Sequence, residues 1–211
     1  MANPTPQTTL KDALYQISTE GIAVDDITPL YPIRNFIRRQ YSGEFRWSYR
    51  SKVVPLVPVL TSGVYISPVP TTMDDRFPVI IYDIYNGQRR NFKRVEYGEL
   101  FAVSSTALFY QDRVSGTVIT NTGGGFIDYQ VQVTDLPESS ASDLNPDVFP
   151  DTTAISYGIA GAYVNAVETA DELGKTSYFE GKYSAQLSAD IARESAFLTI
   201  IDTSYQMKGR R

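Results

Sequence analysis

Asp74 and Asp75 stand side by side, and two acids in one loop are the raw material for holding a cation or relaying a proton. Adjacent residues of an extended chain point to opposite sides, so this pair is expected to serve structure and solvent rather than share a site. Glu96 and Glu99 would meet on one face if their segment were helical, but nothing at metal-ligand spacing accompanies them. Glu168, Asp171 and Glu172, and further on Glu180 and Asp190, are acids of the kind that exposed helix faces carry. Trp47, flanked by Phe45 and Tyr49, has the makings of a stacking platform for a sugar or a base, although core packing is the commoner use of such a cluster. The glycines of Asn121-Thr-Gly-Gly-Gly125 read as a turn. A phosphate cradle would need Lys-Ser/Thr after them and then a helix.

The chain has no His and no Cys. Without Cys there are no disulfides, no thiolate metal sites and no thiol nucleophile. Without His the usual general base, the Ser-His pair and the commonest zinc ligand are gone. Carboxylate pairs and Lys remain open to an enzyme, but no catalytic constellation emerges from the residues above. The expectation is a protein that is not an enzyme, with no catalytic residues, no cofactor and no metal.

The elements that would position these residues follow from periodicity. Thr9 is placed to cap a helix in which Leu10, Ala13, Leu14 and Ile17 share one face before Gly21. A second helix is expected after Pro32, with Ile33, Phe36 and Ile37 apolar, Arg34, Arg38 and Arg39 on another face, and Gly43 as its end. Phe45, Trp47 and Tyr49 then alternate with polar residues, the two-residue repeat of a strand. Strand signals continue to about residue 134. Val53 to Val59 reads as an edge segment interrupted by Pro55 and Pro58. Val64 to Ser67 is a short strand, and Phe77 to Tyr85 turns back through Asn86-Gly87. Leu108 to Gln111, Val114 to Thr120 and Phe126 to Thr134 complete the set, the last two joined through the glycine triplet. Pro137 to Pro150 is read as a surface connection. Asp151, Thr152 or Thr153 then caps a helix rich in small residues that Gly174 ends. Ser177 and Glu180 form a capping box for a long last helix with Phe179, Tyr183, Leu187, Ile191 and Leu198 on one face.

At 211 residues, with 42% hydrophobic and 20% charged residues, the chain is long enough for a sizeable core. Its 15 Tyr supply side chains that are apolar in body and polar at the tip, a type enriched at interfaces. Lys and Arg number 19 against 24 Asp and Glu, and the net charge of −5 argues against wrapping nucleic acid. The charge is also segregated. Basic residues cluster from Arg34 to Lys52 and again at Arg89, Arg90, Lys93 and Arg94, whereas Asp135 to Asp151 is acidic. Arg34, Arg38 and Arg39 on one copy are therefore expected to face Asp143, Asp147 and Asp151 on the next, as a head-to-tail ring contact requires. No signal-peptide pattern or bilayer-length apolar run occurs, so a cytoplasm-like site of assembly and no membrane partner are expected.

The order of elements, from the helix pair through the aromatic Phe45-Arg-Trp47 segment, has a counterpart. Val64-Tyr-Ile-Ser-Pro-Val-Pro70, a hairpin, Tyr97-Gly-Glu-Leu-Phe101 and Tyr129-Gln-Val-Gln-Val133 follow. The acidic Leu144-Asn-Pro-Asp-Val-Phe-Pro150 approach then leads into the two final helices. Over residues 8 to 200 this resembles the head-to-tail adaptor (connector) proteins of tailed bacteriophages, including the tail tubular A group of short-tailed phages. The resemblance implies an α+β fold in which N- and C-terminal helices form a bundle around an inserted antiparallel β-rich lobe. Residues 1–43 and 150–201 would form the bundle, 44–135 the lobe, 136–149 an acidic linker and 202–211 a flexible basic tail.

The implied function is that of a virion structural protein in the neck or tail. It would be a ring, commonly of twelve copies, joined to the portal protein and to a tail nozzle or fibre protein, and double-stranded DNA would pass through without being read. Tyr205, Gln206, Met207, Lys208, Arg210 and Arg211 are the implied portal contacts. Another neck or tail part, such as a stopper or tube terminator, is the alternative, and a carbohydrate-binding or muralytic module is a more distant one.

Overall fold

The computed structural model describes residues 3–24, 27–101, 106–137, 147–167 and 173–208, and in the last helix side chains from 174 to 196. The described residues form an α+β fold of four helices and nine strands in two sheets. Two compact units divide the chain: Met1–Tyr49 with Val133–Arg210, and Arg50–Gln132.

In the first unit, α1 (Pro6–Thr19) begins at Thr5, whose hydroxyl accepts from the Thr8 amide at 3.2 Å, with Pro6 in the first turn. The cap therefore lies four residues before the Thr9 expected for it. Thr9 instead sits on the buried face with Leu10, Ala13 and Ile17. Helix α2 (Leu30–Gly43) starts upstream of Pro32, which its first turn tolerates because no intrahelical partner awaits that amide. Helices α3 (Thr153–Val167) and α4 (Leu173–Lys208) complete the unit. Leu30, Ile37, Tyr41, Trp47, Phe149, Ile155, Ile159 and Phe179 join α1 residues in one core. Each such side chain contributes about 1.5–3 kcal/mol by leaving water.

Four expectations need correction here. Residues 44–47 are not a strand, and Ser48–Arg50 is a 3-10 turn. Aromatic packing overrides the alternation: Trp47 lies parallel to Tyr41 at 4.8 Å, edge-on to Phe45 at 5.5 Å, and donates its indole N–H to the Tyr41 carbonyl. Gly174 and Ser177 fall inside α4 rather than bounding it. The end of the supposed surface connection is interior, since Asp147 and Phe149 are both buried, and residues 138–146 lie outside the described ones. Residues 202–208, expected as a flexible tail, continue the α4 backbone, because no Gly or Pro interrupts it between Gly181 and Gly209.

The second unit holds two sheets. Strands β1 (Ser51–Pro55), β9 (Phe126–Gln130), β4 (Ile80–Tyr85) and β5 (Gln88–Asn91) form one, in that order. The other runs β2 (Val59–Thr61), β3 (Val64–Pro68), β8 (Thr117–Thr120), β7 (Leu108–Asp112) and β6 (Lys93–Arg94). Every pair is antiparallel except β6 with β7. Alternation along the strands sends Ile81, Phe109, Val118, Ile127 and Tyr129 into a core common to both sheets. Leu108 and Ile119 point the other way and pack with Val64 and Leu100, the last from the 3-10 turn Tyr97–Phe101. Asn86 and Gly87 have φ of 52° and 76°, as the tight β4–β5 hairpin turn demands.

Strands β8 and β9, joined through the glycine triplet as expected, belong to different sheets. The glycine triplet carries the chain across. Gly125 has φ of 126°, and a side chain there would meet the Tyr82 carbonyl oxygen at 2.9 Å.

Candidate functional site

The acidic residues that first suggested chemistry are occupied in structure. Asp74 is buried and accepts from Arg50 at 2.8 Å and Arg76 at 2.7 Å, while Asp75 is exposed. Burial alone would raise the Asp74 pKa, but the Arg76 and Arg50 hydrogen bonds outweigh it and hold the carboxyl below its usual value. The Glu99 carboxylate accepts from the backbone amide of Glu96 at 3.2 Å. Among the described residues no three acidic side chains converge as a metal site would require. Glu168, Asp171 and Glu172 lie outside the described residues.

Asp190, expected on an exposed helix face, is only 5% exposed. It accepts from the Tyr41 hydroxyl and from Gln186, both at 3.0 Å. Burial pushes its carboxyl pKa up against those two hydrogen bonds, and burial also raises that of Tyr41. No pattern within α4 separates Asp190 from its solvated neighbours.

The charge expected to lie between copies is partly internal. Arg34 and Arg38 are 0% and 3% exposed. Arg38 reaches Asp147 with two donors, at 3.1 and 2.6 Å, and a third goes to the Thr134 carbonyl. Arg34 donates to the Pro137 carbonyl at 3.1 Å. These groups hold the chain on either side of residues 138–146 to α2, which removes Arg34, Arg38 and Asp147 from any surface that a neighbour would meet. Arg39 does remain outside, 3.2 Å from Asp135 in a half-exposed pair. Asp151 accepts from the Thr153 amide at the start of α3 and lies 3.7 Å from Arg193. Asp143 lies outside the described residues. Of the portal candidates, Tyr205, Gln206, Met207 and Lys208 lie on the backbone of α4, and Arg210 and Arg211 lie beyond the described residues.

Sequence reasoning missed a groove of about 210 Å³ between α2, α3 and α4. Phe36 and Gln40 line it from α2, Tyr157 and Asn165 from α3, and Glu180 and Tyr183 from α4. Its floor is low because Gly158 and Gly161 carry no side chains. A Cβ on Gly158 would meet Ile37 at 2.7 Å and the Tyr183 ring at 3.1 Å. Phe36 remains 56% exposed at the rim. The Tyr183 hydroxyl is buried with no hydrogen-bond partner among the described residues, and burial together with nearby Glu44 pushes its pKa up to about 12. Among the described residues no Lys or Arg lines the groove, so its polar rim there is neutral or acidic. Such a lining suits a cationic side chain with an apolar stem better than an anion.

No protein-family model matches the chain, and comparison with curated proteins finds no match either. Among the described residues no helix is long and apolar enough to cross a membrane.

Proposed function

We propose that the chain is a ring-forming head-to-tail adaptor of a tailed phage. In this reading its four helices form one bundle, the two sheets are a lobe inserted into it, and the ring extends the DNA channel between portal and tail. The observation that carries the reading is the order of elements. Two helices precede all nine described strands, two follow them, and residues from both ends of the chain share one core. The exposed aromatic groove suits an assembly part.

Light-scattering mass of the purified chain, alone and with a candidate portal ring, tests the proposal. A symmetric multimer bound to the ring is expected, and a chain that never joins it is no adaptor. A stopper or tube terminator would share these features. Imaging the protein in a particle would separate the two by position.

A further inference from the structure

The β unit ends in an edge whose positive charge has no acidic partner among the described residues. Strand β6 pairs only with β7, and its two residues, Lys93 and Arg94, are both exposed. Nearby cations are already engaged. Arg90 is bonded to Asp83 and stacks on Tyr85 at 4.7 Å, and Arg89 lies over Tyr82 at 3.9 Å and 4.0 Å from Asp128. Glu99 turns back onto the Glu96 amide rather than onto Arg94. Charged edges keep strands from pairing at random, and they also mark which surface is left for a specific partner.

The groove between α2, α3 and α4 has the complementary character. It offers aromatic rings from Phe36, Tyr157 and Tyr183 and a carboxylate from Glu180. A guanidinium stacks on aromatic faces, donates to carboxylate and hydroxyl oxygens, and is more weakly hydrated than an ammonium. This chain repeatedly places arginine over aromatic rings, including Arg38 over Phe149 at 5.4 Å.

We propose that the α2–α3–α4 groove of one copy receives Arg94, on the β6 edge, of a second copy. The contact is heterologous, groove to edge, the kind that builds a ring when its rotation closes. It rests on the ring reading and names the two surfaces that reading leaves open.

The absence of native Cys makes the test clean. One variant carries Gln40→Cys at the groove and another Glu96→Cys, exposed and two residues on from an intact Arg94 along the extended chain. The two are mixed, oxidised, and read by mass under conditions where light scattering shows assembly. A mixed disulfide dimer is expected in about tenfold excess over either variant alone, and Arg94→Glu in the second variant should lower it about tenfold. Glu180→Arg in the first variant should restore it with Arg94→Glu. Arg94 and Glu180 are exposed, so neither change threatens the fold. Assembly without the mixed disulfide overturns this inference and leaves the ring reading standing. A disulfide from Gln40→Cys to Lys208→Cys in place of Glu96→Cys also overturns it, by making the α4 end the occupant. A chain that stays monomeric with and without the portal ring overturns both.

Discussion

Arg38 on α2 and Asp147, 109 residues later, form a two-pronged ion pair in which both side chains are less than 5% exposed. Its second prong measures 2.6 Å, and the guanidinium also lies over the Phe149 ring. A buried pair of this kind resists loss of one partner more than loss of both.

Arg38→Met or Asp147→Leu alone should therefore destabilise the helical unit by about 3–5 kcal/mol, since each leaves a buried charge without its mate. The double variant should recover a large part of that. Urea unfolding of the four proteins in a double-mutant cycle measures the coupling, and simple additivity would refute it.

Asp190 and Asp74 should give stability curves of opposite slope with pH. Asp190 has its pKa raised by burial, so the folded state holds the proton longer than the unfolded chain. Its contribution is complete below the ordinary value of 3.8 and is lost as pH rises through the higher folded value. Asp74 has its pKa lowered, so its contribution is present above 3.8 and is lost as pH falls through the folded value. Asp190→Asn should remove the decline above pH 3.8, and Asp74→Asn part of the acid lability below it. Melting temperatures across a pH series would show each.

Two glycines in helices should respond in opposite senses to alanine. Gly158→Ala drives a methyl into Ile37 and Tyr183 and should destabilise by about 1–3 kcal/mol. Gly181→Ala, in open space on α4, should stabilise by about 0.5–1 kcal/mol through helix propensity. Chemical denaturation of both variants decides the matter. A stabilised Gly158→Ala protein would mean that the groove floor is looser than drawn.

Gly125→Ala should destabilise the β unit by about 1–3 kcal/mol, because φ of 126° is unfavourable to alanine and the Tyr82 carbonyl blocks its Cβ. Hydrogen exchange at the β4 and β9 amides is the readout, with loss of protection expected there.

The elements themselves were legible in the sequence. Apolar residues at helical spacing marked α1 and the core face of α4, and Asn86-Gly87 marked its hairpin. What escaped was non-local. Periodicity treats every charge as outward-facing, so Arg34 and Arg38 looked like a surface stripe open to a neighbouring copy. Their partners, Asp147 and the carbonyls of Thr134 and Pro137, lie about a hundred residues away. The same blindness hid Asp190 and the groove, which exists only where three helices meet. The parting of strands β8 and β9 was hidden for another reason. Neighbours in sequence usually pair, but here the chain changes sheet between them.

The division of the helical unit between the two chain ends also bears on synthesis. Strands β1 to β9 find all their partners between residues 51 and 130, so they can pair while the rest is still being translated. Leu10 and Ile17 share a core with Phe179, which is synthesised well after them. A chain that stops short of α4 therefore keeps the apolar face of α3 uncovered and is open to proteolysis. The order of the helices thus ties closure of this core to the synthesis of α4.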